Sequence, residues 1–239
     1  MPRGLEKSAE PGGGGMKDPR IVTLDGPSAS GKSTVARLVA ARSGRLHVDS
    51  GALYRAVAWQ ALEQGVLLEE ADPLRRLLDS LTVAMEPDGF RLCFRVNGQP
   101  LGSAIRTPAV SAGASTAGRL CLVREWVNGV LRRTPEVGPV VVDGRDIGTV
   151  VFPHARYKFF LDADLETRAR RRYAEWQGSG LSFEAVLRET AERDRQDRER
   201  ALAPLTAAPD AVVIDTSCRT AEEVAALILD RLYEDRDFS

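Results

Sequence analysis

The residues from Gly26 to Ser33, Gly-Pro-Ser-Ala-Ser-Gly-Lys-Ser, fit the phosphate-cradling pattern G-x-x-x-x-G-K-[ST] at every fixed position. The chemistry of such a loop is anion binding. Backbone N–H groups and the positive end of the helix behind the loop converge on a phosphate chain. The candidate nucleotide cradle is Gly26, Pro27, Ser28, Ala29, Ser30, Gly31, Lys32, Ser33 and Thr34. Lys32 has the reach for β- and γ-phosphates, and the Ser33 hydroxyl is a candidate ligand of Mg²⁺. A tight turn of small residues is the competing explanation. The flanks argue against it. Ile21-Val22-Thr23-Leu24 reads as a buried strand leading in, and Val35, Leu38 and Val39 share one side of a helix leading out.

Carboxylates and arginines supply the rest of the candidate chemistry. Val140-Val141-Val142-Asp143 is an apolar strand ending in a carboxylate, a second candidate for holding Mg²⁺, directly or through water. Asp25, just before the loop, is either part of the metal's outer shell or a strand-end cap. In Glu192–Arg200, residues Arg193, Asp197 and Arg200 follow i, i+4, i+7 spacing and share a helix face. A solvated helix of i,i+4 ion pairs is the plain alternative. Its weakness is the choice of arginine, whose fork binds oxyanions in pairs. Arg168, Arg170, Arg171 and Arg172 crowd into one turn and repel each other unless an anion is present. They read as a mobile lid for a triphosphate or as an exposed basic face.

These residues must be positioned by an alternating α/β chain. Leu46-His47-Val48 is a short strand ending at Asp49-Ser50-Gly51. A helix follows with Leu53, Val57, Ala58 and Leu62 on one face. Residues 81–103 switch to period two, punctuated by Asp88-Gly89 and Asn97-Gly98, and predict a three-strand antiparallel meander. Leu81, Val83 and Met85 form one alternating set; Phe90, Leu92, Phe94 and Val96 form another. Thr107-Pro108 starts a helical pattern that runs to about Arg133. Tyr157–Leu161 and Ala211–Ile214 read as strands, and Asp164 and Ser182 each open a helix. Thr220 and Glu223 have capping-box spacing for a last helix buried through Val224, Leu227, Ile228 and Leu232. Strands alternating with helices imply a parallel doubly wound sheet whose ligands lie beyond the C-terminal strand ends, where these aspartates fall.

Composition bounds the partners. The chain has 239 residues and a formal net charge of −1, so no global field draws it to nucleic acid or membrane. Its three cysteines, far apart, and two histidines do not make a zinc site or a disulfide framework. No apolar run approaches the roughly 20 residues of a membrane span, and the N-terminus lacks the apolar core of a signal peptide. A cytoplasmic monomer is expected. Residues 1–19, with four consecutive glycines, read as a disordered extension, with Met16 an alternative start.

Asp25-Gly26-Pro27-Ser28, Asp49-Ser50-Gly51-Ala52-Leu53-Tyr54-Arg55, Asp143-Gly144-Arg145-Asp146-Ile147-Gly148-Thr149 and the 193–205 segment together resemble the bacterial-type cytidylate kinases. The resemblance runs from about residue 20 to 233. It implies a P-loop NTPase-type parallel sheet flanked by helices, with an inserted antiparallel meander. It implies a core of 20–62 and 138–235, a monophosphate-binding region at 63–137 and a lid at 165–182. ATP with Mg²⁺ and the acceptors CMP and dCMP are the implied ligands. By resemblance, Arg55, Arg145 and Arg193 hold the acceptor's α-phosphate, Ser115, Arg124 and Asp146 read the cytosine edge, and Asp197 takes the sugar hydroxyls. Ser50 and Arg200 contact the same nucleotide. Lys32, Arg145 and Arg193 carry the catalytic charge. The order Asp194-Arg195-Gln196 departs from the family's arginine spacing, which leaves 195 and 196 unassigned. The rivals are a P-loop kinase for another small molecule and a non-catalytic nucleotide switch. A guanine-reading switch needs an [N/T]-K-x-D string. None of the four lysines, Lys7, Lys17, Lys32 and Lys158, stands in one.

Overall fold

The computed structural model describes residues 17–175 and 181–234. Its strands are β1 (Asp18–Asp25), β2 (Leu46–Asp49), β3 (Val83–Asp88), β4 (Arg91–Val96), β5 (Gln99–Pro100), β6 (Val140–Asp143), β7 (Ala155–Asp162) and β8 (Val212–Asp215). Its helices are α1 (Lys32–Ser43), α2 (Ser50–Glu63), α3 (Ala71–Ser80), α4 (Pro108–Ala117), α5 (Cys121–Arg132), α6 (Leu165–Glu175), α7 (Phe183–Glu199) and α8 (Ala221–Glu234). The strands form one sheet in the order β3-β4-β2-β6-β1-β7-β8, with β5 on β4. From β4 to β8 every neighbour is parallel; β3 and β5 pair with β4 antiparallel. The expected α/β architecture is present.

The β-branched run of β6 explains why the sheet is covered on both sides. Val140 and Val142 join the core built with Leu53, Val57, Val127 and Leu131 of α2 and α5. Val141 joins the opposite core with Val35, Val39, Ile228 and Leu232 of α1 and α8. At about 25 cal/mol per Å² of apolar surface, such burial is the main force holding the strand ends in register. The capping box on α8 is reciprocal: Thr220 N–H donates to Glu223 Oε2 and Glu223 N–H to Thr220 Oγ1.

Several expectations need correction. The meander forms over β3–β5, but His47 of β2 is in parallel register with Arg91 of β4, so the meander extends the edge of the main sheet. Phe90 lies in the turn and is exposed, outside the alternation of Leu92, Phe94 and Val96. The helix expected from Pro108 to Arg133 is two helices broken at Gly118–Leu120. The break lets α4 pack on α2 while α5 turns Val123, Val127 and Leu131 into the sheet core. Leu62 and Leu227 are exposed. The packed faces of α2 and α8 run instead through Leu53, Ala56, Val57 and Ala61, and through Val224, Ala225, Ile228, Leu229 and Leu232. The proposed extension 1–19 overlaps β1, because the Asp18 N–H donates to His154 O and Lys17 pairs with Asp210 at 2.8 Å. Polar side chains hide a strand whose backbone is paired.

Candidate active site

The phosphate loop leaves β1 at Gly26, where φ is +146°; a Cβ there would lie 2.0 Å from the Leu161 carbonyl oxygen of β7. Only glycine lets the chain turn that close to the neighbouring strand. Gly31, also left-handed, opens α1 at Lys32. The Lys32 side chain is buried, with its ammonium donating to Pro27 O and to Ser30 Oγ at 3.2 Å. Burial first, and the nearby Arg145 charge second, push its pKa well below the usual lysine range; Asp143 and Asp25 pull the other way.

Two hydrogen bonds define the candidate metal end. Ser33 Oγ donates to Asp143 Oδ2 at 2.6 Å, and His47 Nε2 lies 2.7 Å from Asp143 Oδ1. Burial works to raise the Asp143 pKa, but the His47 and Ser33 hydrogen bonds and the Lys32 charge hold it below the ordinary carboxylate value. A hydroxyl and an ionised carboxylate beside a phosphate loop are hard oxygen donors. They fit Mg²⁺, which takes few protein ligands and keeps waters and phosphate oxygens for the rest. No group of three or more His, Cys, Asp or Glu able to hold a metal occurs among the described residues.

Asp25 holds a distant turn: its carboxylate accepts from the N–H groups of Ile147 (2.8 Å) and Gly148 (2.7 Å), one on each oxygen, at the start of the π-helical turn Ile147–Val151. Burial raises its pKa to about 6 against those two donors. This clamp fixes the turn that follows Arg145-Asp146.

The candidate acceptor end is built from α2, α4, α5, β6 and α7. Asp49 caps α2 through Ala52 N–H and pairs with Arg55 at 2.6 Å. Ser50 Oγ donates to the Asp143 carbonyl at 2.7 Å. The Gly118 carbonyl, freed by the helix break, accepts from Arg124 Nη1. The other arm of Arg124 pairs with Asp146, whose second oxygen lies 3.5 Å from Arg200. Arg145 donates to Asp197 at 2.9 Å. Arg193 is pushed down to about 10 by burial and then by the charges of Arg145 and Arg172. Ser115 Oγ is 3.4 Å from Ser111 O.

One cavity of about 570 Å³ joins both ends. Ser28, Ala29, Gly31, Lys32, Ser33, Thr34 and Asp143 line it, as do Ser50, Arg55, Ser115, Arg124, Arg145, Asp146, Arg193, Asp197 and Arg200. Of the expected residues, Gly26, Pro27 and Ser30 stand behind the lining, where they shape the loop.

Of the four arginines of α6 only Arg170 is exposed, and each of the four has a partner within the protein. Arg168 and Arg172 are buried. Arg168 pairs with Asp194 at 2.5 Å and reaches Ser28 O; Arg172 pairs with Glu189 and donates to Ser28 Oγ at 3.0 Å. Arg171 donates to Thr216 O at 2.6 Å, and Arg170 pairs with Glu166. Carboxylates and a carbonyl of the protein relieve the repulsion expected of an empty cluster. The expected hinge glycines, Gly178 and Gly180, lie outside the described residues. Sequence reasoning passed over His47, Tyr54, Arg91 and Arg106, which also line the cavity. Two of them carried a signal: His47 as a polar residue inside the apolar strand Leu46-His47-Val48, and Tyr54 as a member of the Asp49–Arg55 string.

Comparison with known proteins finds relatives along nearly the whole described chain. The profile of the family described as "Cytidylate kinase" matches residues 22–234. The cytidylate kinase of Geobacillus thermodenitrificans is 44% identical over 215 residues, covering 89% of this chain and 96% of that protein. The cytidylate kinase of Nitratidesulfovibrio vulgaris is 41% identical over 215 residues, covering 89% and 92%. A solved structure of an uncharacterized protein from Eubacterium ventriosum shares the fold at 12% identity, with a TM-score of 0.50 over 90% of this chain and 98% of its own.

Proposed function

The chain belongs to the cytidylate kinase family, and we propose that it transfers the γ-phosphoryl group of ATP to the α-phosphate of CMP or dCMP, giving ADP and CDP or dCDP. The observation that carries this reading is the single cavity, with a phosphate loop at one end and five buried or half-buried arginines, Arg55, Arg124, Arg145, Arg193 and Arg200, at the other.

An oxygen of the acceptor α-phosphate attacks γ-phosphorus in line while the bond to the ADP β-oxygen breaks. The acceptor is its own nucleophile, so the protein positions and neutralises charge. The loop from Gly26 to Thr34 cradles the donor phosphates through its backbone N–H groups. Lys32 leaves its resting contacts with Pro27 O and Ser30 Oγ to follow the transferring group. Arg55, Arg145 and Arg193 fix the acceptor phosphate. Arg124 and Asp146, with Ser115, read the cytosine edge; a carboxylate accepts from the exocyclic amine and a guanidinium donates to the ring carbonyl. Asp197 takes the sugar hydroxyls, and Ser50 and Arg200 complete the acceptor pocket. Ser33 and Asp143 are the residues that would hold Mg²⁺, which supplies charge neutralisation on the donor phosphates.

The division of labour follows the same lines: 20–62 and 138–235 form the core, and 63–137 bears on the acceptor. In the lid, expected at 165–182, α6 grips Ser28 through Arg168 and Arg172. The protein acts as a cytoplasmic monomer. Among the described residues no helix is long and apolar enough to cross a membrane. An ADP-release assay over CMP, dCMP, UMP, AMP and GMP tests the activity. Turnover with CMP and dCMP well above the purine monophosphates is expected; equal turnover with all five, or none, refutes it.

A further inference from the structure

The side chain of His47 is not explained by packing. Its backbone does the work of a strand residue: the N–H donates to Phe90 O, and Cα registers with Val141 and Arg91. The flanking residues of β2 are Leu46 and Val48, and an apolar side chain at 47 would serve the strand equally. The imidazole is instead buried against the cavity wall with Nε2 on Asp143 Oδ1.

The chemistry of the pair fixes the direction of that bond. An ionised carboxylate only accepts, so Nε2 carries the hydrogen. Asp143 is therefore held from two sides: Ser33 donates to Oδ2 and His47 to Oδ1. Ser33 is a member of the phosphate loop, and His47 belongs to the neighbouring strand of the sheet. With both bonds made, the carboxylate plane is locked relative to the loop. With only the Ser33 bond, it is free to swing about its Cα–Cβ and Cβ–Cγ bonds. Partners behind a metal ligand commonly set its orientation in this way.

We infer that His47 is a positioning residue that orients the Asp143 carboxylate for the divalent cation accompanying the donor nucleotide. This rests on the reading above only in giving the cation to Ser33 and Asp143.

The test is calorimetric titration of ADP into the protein with Mg²⁺ and with EDTA, for the wild type, His47→Leu and His47→Gln. The ratio of the two affinities isolates the metal's contribution. His47→Leu is expected to reduce that ratio by about 10- to 100-fold, the usual cost of losing such a partner, with ADP affinity in EDTA unchanged. His47→Gln, whose amide N–H reaches to the same place, is expected to restore it to near wild type. A leucine variant with the wild-type ratio overturns the inference. So does one that loses ADP affinity equally with and without metal, or a glutamine variant as impaired as leucine. Thermal unfolding in EDTA verifies that each variant folds. If the leucine variant does not, His47→Asn, whose amide is too short to span the gap, replaces it with the same expectation. The readout needs no turnover: a wild type that binds ADP tighter with Mg²⁺ but does not phosphorylate CMP refutes the proposed activity and leaves this comparison valid.

Discussion

Replacing Asp146 with asparagine separates base reading from general support of the pocket. Asp146 is 5% exposed, and its carboxylate serves both Arg124 and Arg200, themselves almost wholly buried at their side chains. Asn keeps the volume and removes the charge, leaving two guanidiniums facing each other. Breaking a buried ion pair from one side costs about 3–5 kcal/mol, and the retained amide places this case near the low end, about 3 kcal/mol. For a domain of this size that is a fall in Tm of about 6–12 °C in the free protein. The loss of one charged hydrogen bond to cytosine costs about 1.5–3 kcal/mol more, so CMP affinity should fall about 10- to 150-fold. ATP should be nearly indifferent, because Lys32, Ser28 and Arg172 lie at the other end of the cavity. Steady-state kinetics with each substrate varied, beside thermal unfolding with CMP or ATP present, measures both quantities. Equal rises in KM for CMP and ATP, or an unchanged CMP KM in a destabilised protein, would assign Asp146 to structure and remove it from recognition.

Three further outcomes follow from the same geometry. Lys32→Ala should lower kcat by about 10²–10³ while CMP affinity, measured by titration, stays near wild type; wild-type turnover would remove the phosphate loop from the chemistry. Asp25 has a folded pKa of about 6, above its ordinary 3.8, so its contribution to stability is fully present below pH 3.8 and is lost as pH rises through 6. The wild type should therefore lose about 2 kcal/mol relative to Asp25→Asn between pH 4 and 7 in urea unfolding, and a flat difference would show that the carboxyl titrates normally. Gly26→Ala should cost about 4 kcal/mol, the sum of a strained φ and a clash with Leu161 O, read as a shifted urea midpoint; an unshifted midpoint would mean β1 and β7 can part freely.

Much of the site was legible because its chemistry is local in sequence. The phosphate loop and the Asp143–Asp146 string each fit within a single turn or strand end, where glycine and carboxylate placement is constrained by backbone geometry. Asp143 beside Ser33 followed from β6 lying next to β1. What escaped was tertiary. The break at Gly118 is invisible to periodicity because alanine and serine on α4 are compatible with a continuous helix, yet it frees the carbonyl that seats Arg124. Leu62 and Leu227 fit the helical period but lost their places to Ala61 and Ala225, since alanine lets a helix approach its neighbour more closely. The link from His47 to Asp143 spans two strands and leaves no spacing signature.

The arginine-rich helix α7 divides its charge between two faces, one ion-paired at the surface and one lining the cavity. Arg195 is exposed and pairs with Glu192 and Glu199 at i−3 and i+4, a solvated face worth little energetically. Arg193 and Asp197 look into the cavity. Asp194, one residue and about 100° further round, points away to Arg168, which reaches Ser28 of the phosphate loop. Adjacent residues of one helix thus face the cavity and brace the phosphate loop. Arg193 remains charged at neutral pH although burial and two neighbouring arginines oppose it. In the proposed reaction, an acceptor phosphate beside Arg193 would add to the charges of Asp197 and Glu189 that already offset this opposition. Through Asp194, α7 also holds Arg168, whose guanidinium reaches the Ser28 carbonyl, so one helix supplies side chains to the cavity and a support for the phosphate loop.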